Sequence, residues 1–144
     1  MDKIFSYQHR IQYYETDGMR IVHHSNYIRW MEEARTAMME QLGYGYDRME
    51  HDGISIPVLS VSCDYKEMMH FGQTCRIEVR VTAVSQVRMA VAYEFYDVKT
   101  GHLCGTGTTS HCFVGQNGRP VSLKKKLPDI YELFCSTLYT PDEA

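Results

Sequence analysis

The sequence has no long hydrophobic run. Its longest uninterrupted apolar stretch is Met89 to Tyr93, far short of the ~20 residues a membrane-spanning helix needs, so such a helix is excluded. It has no positive excess either. Fifteen Lys and Arg stand against eighteen Asp and Glu, a formal charge of -3, which removes the field that would hold a nucleic-acid backbone or an anionic membrane. Five cysteines (Cys63, Cys75, Cys104, Cys112 and Cys135) form no C-x-x-C pair, and an odd, widely spaced set suits neither a disulfide framework nor a zinc knuckle. Free thiols in a reducing compartment follow. The opening segment, Met1 to Glu15, lacks the apolar core of a secretory signal, so a cytoplasmic location is expected. Repeats, low-complexity stretches and linkers rich in Pro or Gly are missing as well, and the chain reads as one domain over residues 1–144.

What is present suits a packed globular chain. Of its 144 residues 44% are hydrophobic and 23% charged, enough to build one sizeable core. Nine Met and eleven Tyr make that core flexible and amphipathic, as packing or as the lining of an adaptable pocket. Phe5, Tyr7, His9, Ile11 and Tyr13 alternate with polar residues, which predicts a strand that ends near Tyr14. From Asn26 to Leu42 the period changes. Tyr27, Met31, Ala34, Met38 and Leu42 recur at helical spacing, with Ser25 or Asn26 placed to cap the start and Gly43 to end the helix. A short helical turn is expected over Tyr46 to His51.

Strands dominate the remainder. Pro57 to Tyr65 alternates without a clear buried face, Thr74 to Thr82 is plainly one-sided, and Val87 to Phe95 follows. The strand from His102 to Val114 carries Gly105 and Gly107 on one face, which suggests close approach by another element, the helix being the candidate. A terminal amphipathic helix is expected over Leu127 to Leu138. Consecutive strands joined by short turns must pair antiparallel, so the class is α+β, a sheet of about five strands wrapped around one long central helix. One helix cannot cover such a sheet completely, and a homodimer or a dimer of dimers is expected to finish the burial.

The densest set of functional side chains lies between the first strand and the helix, from Tyr13 to Tyr27. A loop entering a helix N-terminus presents unpaired N–H groups and the positive end of the helix dipole, which together can stabilise an oxyanion. A carboxylate beside it, Asp17, can act on a carbonyl bound there. Each residue also has a plainer reading. Asp17-Gly18 can be an ordinary turn, His24 a partner of the helix cap, and Tyr27 a member of the apolar stripe. Adjacent His23 and His24 diverge and offer no helical metal spacing, so no metal is expected. Gly105-x-Gly107 is not a dinucleotide loop, and no cofactor is expected.

The pattern formed by Asp17, Val22, His24, Ser25, Asn26 and Tyr27, followed by Ile28 to Arg35, resembles the hotdog-fold 4-hydroxybenzoyl-CoA thioesterase family, in its bacterial acyl-CoA thioesterase branch. The likeness continues through Gly53-Ile54, Pro57-Val58 and Cys63 to Tyr65, and on to His111 to Val114 and Asn117 to Pro120. It implies an acyl-CoA thioester hydrolase whose dimers join sheet edge to sheet edge, with sites at the interface. Asp17 would be nucleophile or general base, a backbone N–H near Asn26 or Tyr27 would polarise the thioester carbonyl, and His24 would position the loop or substrate. Tyr14, Arg20 and Asn26 are the candidate substrate-binding residues. Acyl carrier protein, with Lys124 to Lys126 as its basic contact, is an alternative partner, and a non-catalytic acyl-CoA binding module is a second alternative. In two places the chain departs from the family pattern. Arg20 stands where the family usually has Gly, which implies strain if that position takes positive φ, and Lys66 to Gly72 lacks the proline common in that turn.

Overall fold

A computed structural model describes residues 3–140. Its strands are β1 (Phe5–Arg10), β2 (Val58–Tyr65), β3 (Thr74–Val84), β4 (Arg88–Asp97) and β5 (Leu103–Cys112). They form one antiparallel sheet in the order β1-β3-β4-β5-β2. The helices are α1 (Ser25–Gln41), α2 (Tyr46–His51), α3 (Leu123–Lys126) and α4 (Pro128–Ser136). This is the α+β hotdog arrangement, with α1 as the central helix.

The one-sided strand buries its apolar set completely: Cys75, Ile77, Val79 and Val81 are at most 1% exposed. Met89, Val91, Tyr93 and Phe95 continue that face on β4. Onto it α1 lays Tyr27, Trp30, Met31, Ala34 and Met38, all buried. The glycines of β5 make room for this contact. A Cβ at Gly107 would stand 2.8 Å from the Met31 sulfur, and one at Gly105 3.6 Å from the Tyr27 ring and 3.0 Å from the Asp64 carbonyl. The helix therefore packs almost onto the β5 backbone, as the glycine spacing suggests.

The strands match the sequence reading to within about two residues except β1, and the helix starts differ in detail. β1 stops at Arg10, because the Gln12 N–H is taken by the Glu15 carboxylate at 2.7 Å and the chain turns into a 3-10 segment over Tyr13–Glu15. Neither Ser25 nor Asn26 caps α1. The cap residue is His24 in helical geometry, the Ser25 hydroxyl bonds the His23 ring at 2.8 Å, and the Asn26 amide reaches back to the Glu15 carbonyl at 2.7 Å. β5 ends at Cys112, two residues early. The terminal helix α4 (Pro128–Ser136) lies within the expected span and starts after Leu127 (φ -137°, ψ 74°), the residue before Pro128, where helical geometry is sterically disfavoured and the chain parts from α3.

At the other end of α1 the sequence reading holds. Gly43 adopts φ 81°, its N–H bonds the Glu40 carbonyl, and the Tyr44 N–H bonds that of Met39, which is a Schellman stop. β2 is the outlying strand beside β5, and Val58, Leu59, Val61 and Tyr65 are all exposed along it. Its alternation carries no clear signal because neither of its faces is sealed.

Candidate active site

The loop between β1 and α1 is tied down from both sides. Asp17 N–H bonds the Ile21 carbonyl at 2.8 Å, Arg20 N–H bonds the Asp17 carbonyl at 3.1 Å, and His23 N–H bonds the Glu15 carbonyl at 2.9 Å. Across the gap, Val22 N–H bonds the Met69 carbonyl and Phe71 N–H bonds that of Arg20. The segment after β2 is thereby held against the loop. A cleft of about 490 Å³ opens between them, with Asp17, Ile21 to His24 and Tyr27 on one side and Tyr65 to Met69 on the other.

Asp17 is solvent-exposed, and its Oδ1 accepts from the N–H groups of Met19 (2.8 Å) and Ile21 (3.3 Å). This is the Asx-type turn of the plainer reading. It also fixes a carboxylate at the cleft. His24 is exposed, its ring stacks on that of His23 at 4.3 Å rather than diverging from it as adjacent side chains were expected to, and its carbonyl accepts from the Tyr65 hydroxyl at 3.4 Å. Tyr27 is 3% exposed and boxed by Trp30, Tyr65 and Phe95 at ring distances of 4.9 to 5.1 Å. Burial pushes its phenol well above the ordinary range, with nearby cysteines adding to the effect, so it stays protonated. Asp17, His24 and Tyr27 thus line one cleft.

The other three candidates do not line it. Tyr14 is 80% exposed on the 3-10 turn. Asn26 is buried, and its amide is spent on the Glu15 and His23 carbonyls, clamping the loop to the helix start. Arg20 lies with its guanidinium 5.4 Å from the centre of the Phe71 ring. Its φ of 65° is the left-handed geometry that glycine takes at little cost. The loop thus imposes on an arginine a backbone shape that would suit a glycine. At the helix entrance, Asn26 N–H bonds the His23 carbonyl at 3.0 Å and Tyr27 N–H bonds that of His24 at 3.2 Å.

Beneath the loop sits a carboxylate that the motif reading missed. Glu15 is 5% exposed. Its Oε1 accepts from His9 at 2.8 Å and from Gln12 N–H at 2.7 Å, and its Oε2 from the Trp30 indole at 2.7 Å. His9 in turn meets Glu33 at 3.0 Å. Burial alone would raise the Glu15 pKa, but the bonds from His9, Gln12 and Trp30 outweigh it and hold the group below its ordinary value. Glu15 lies beyond β1 on the 3-10 turn, where odd-numbered Tyr13 is 67% exposed, so no periodicity in the sequence marks it. Among the described residues no group of three or more His, Cys, Asp or Glu is placed to hold a metal ion.

Comparison with known proteins agrees with this fold. A family model described as the thioesterase-like superfamily matches residues 11–133. The Bacillus subtilis (strain 168) protein named "Putative acyl-CoA thioesterase YneP" is 34% identical over 120 residues, covering 83% of this chain and 86% of its own. Among solved structures, a DHNA-CoA thioesterase from Staphylococcus aureus superposes with a TM-score of 0.87 at 29% identity, covering 92% of this chain and 89% of that one. A hypothetical protein from Aquifex aeolicus gives 0.83 at 31% identity, over 90% and 98%. With a five-stranded sheet around α1 and a carboxylate-bearing loop at the helix entrance, the chain belongs to the thioesterase-like superfamily and is a hotdog-fold thioester hydrolase.

Proposed function

We propose that this protein hydrolyses acyl-CoA thioesters, with Asp17 as its catalytic carboxylate. One observation carries the reading: the anchored Asp17 carboxylate shares a cleft with His24 and Tyr27 at the entrance of α1. As general base, Asp17 takes a proton from water, the oxygen attacks the thioester carbon, and the carbon–sulfur bond breaks to release CoA thiolate and a carboxylic acid. As nucleophile, it first forms an acyl-aspartyl anhydride that water then opens. Either way the carbonyl oxygen gains negative charge, and the positive end of α1 is the place to stabilise it. Asn26 and Tyr27 N–H are already bonded within the first turn, so a bound carbonyl would share or displace those bonds. A thiolate leaves with little help from an acid, so a site this spare suffices.

The active unit is proposed to be a homodimer joined along β2. That strand lies at the sheet edge beside β5, and its apolar side chains Val58, Leu59, Val61 and Tyr65 are 42 to 50% exposed. An unpaired, apolar edge is an open template for another strand.

The test is thiol release from a panel of short, medium, long and aromatic acyl-CoAs by the purified chain. Turnover of at least one class, lost in Asp17→Asn, is the expected result. Tight acyl-CoA binding without turnover across the panel would make the protein a binding module instead.

A further inference from the structure

A second, smaller cavity of about 200 Å³ lies farther along α1, between that helix and β2, lined by Ile28, Glu32, Arg35, Val58, Val61 and Thr109. Arg35 gives it its character. The residue is 6% exposed, its Nε donates to the Tyr46 hydroxyl at 3.2 Å, and its Nη1 donates to the Tyr93 hydroxyl at 3.0 Å. Among the described residues it has no ion-pair partner and Nη2 makes no hydrogen bond. Nη2 is not sealed in, because the buried unpartnered side-chain atoms among those residues are His111 Nδ1 and Thr140 Oγ1 alone. A buried guanidinium without a carboxylate is costly, and its spare donors form a fork suited to a carboxylate.

This cavity and the Asp17 cleft share no lining residue, but both border α1 and β2. His24, Ile28, Glu32 and Arg35 follow one another at spacings of four, four and three along α1, a single helical stripe. On the strand side Tyr65 lines the cleft and Val61 the cavity, with Cys63 between them on the same face. Eight residues separate Tyr27 from Arg35, about 12 Å of helix, and Ile28 and Arg35 line the same cavity. A medium-length acyl group held by its thioester at Asp17 would span this distance past Ile28 and Val61 and end at the guanidinium.

We infer that Arg35 is a specificity-determining residue that receives a terminal carboxylate on the acyl group, so that the preferred substrates are CoA monothioesters of dicarboxylic acids. This rests on the acyl-CoA hydrolase reading above. Glu32 lines the same cavity without pairing to Arg35 and sets the limit on the attraction.

The experiment compares kcat/KM for matched pairs, adipyl-CoA against hexanoyl-CoA and suberyl-CoA against octanoyl-CoA, in wild type, Arg35→Met and Arg35→Lys. A ratio within one enzyme cancels partial loss of folded protein. The carboxylated member is expected to win by about tenfold or more in wild type, as befits a charge-assisted pair. Arg35→Met should erase the preference and Arg35→Lys keep part of it. Equal or faster turnover of the methyl-terminated member in wild type overturns the inference, as does a preference that survives Arg35→Met. If the preference is absent and Arg35→Met instead dissociates the oligomer, the occupant is a carboxylate of a second copy and the inference falls. Turnover without the preference leaves the hydrolase reading standing, whereas no turnover of any thioester overturns both.

Discussion

His111 should make the protein acid-sensitive, and its surroundings set the size of the effect. The imidazole is fully buried on β5, its Nε2 bonds the Thr109 hydroxyl at 2.8 Å, and its Nδ1 has no hydrogen-bond partner. Burial, and then the Arg35 cation, lower its pKa from 6.5 to about 4. A folded pKa below the unfolded one means that the unfolded chain binds the proton first. Stability is therefore full above about pH 6.5 and falls as the pH drops toward the folded value of about 4. At about 1.4 kcal/mol for each pH unit between the two values, lowering the pH from about 8 to about 5 should cost about 2 kcal/mol through this one group. Urea unfolding at a fixed protein concentration, repeated across that range for wild type and His111→Gln, isolates the contribution. The variant can be less stable at every pH, but its pH dependence should be shallower by that amount. Parallel curves for the two proteins would refute the reasoning.

Three further substitutions probe the packing and the loop. Gly107→Ala sets a methyl 2.8 Å from the Met31 sulfur and 3.2 Å from the Ser62 carbonyl, and thermal unfolding should show a loss of about 1–3 kcal/mol that shrinks in a Met31→Ala background. Arg20→Gly and Arg20→Ala both lose the Phe71 contact, but only glycine relieves the φ of 65°; chemical denaturation should find the glycine variant more stable by about 1 kcal/mol. Glu15→Gln turns an amide donor toward His9, Gln12 N–H or Trp30 and should cost about 3–5 kcal/mol, as breaking a buried charged network does. Because the Glu15 pKa is lowered, its stabilisation is present above the ordinary carboxylate value and fades as the pH falls through the lower one. The variant's stability curve should be flatter below about pH 4.

The features visible in the sequence were those carried by local periodicity. The odd positions of β3 and β4 alternate cleanly because one face of each strand meets α1, and Gly105 and Gly107 marked where that helix presses on β5. The helix stripe was read too narrowly. Trp30 and Arg35 are buried beside it, because the sheet curls around α1 and covers more than one line of residues. β2 defeated the pattern because an edge strand with exposed side chains has no periodic burial to report.

In the loop, residue types placed Asp17, His24 and Tyr27 in one neighbourhood, and they share a cleft. What stayed hidden depends on contacts distant in the chain. Glu15 meets Trp30 fifteen residues away, and Arg35 meets Tyr93 fifty-eight residues away. No spacing rule brings such pairs together. The same holds for Asn26, whose side chain could be assigned to a cap or a substrate until the fold turned it back on Glu15.

The central claim is that the Asp17 carboxylate performs the hydrolysis. Asp17→Asn tests it most directly, since an asparagine Oδ1 can keep the bonds from Met19 and Ile21 N–H that shape the loop while the carboxylate is lost. With the best acyl-CoA from the panel at saturation, thiol release should fall by about 10²–10⁴-fold, with unfolding behaviour near that of the wild type. Undiminished turnover in a folded Asp17→Asn protein would contradict the account.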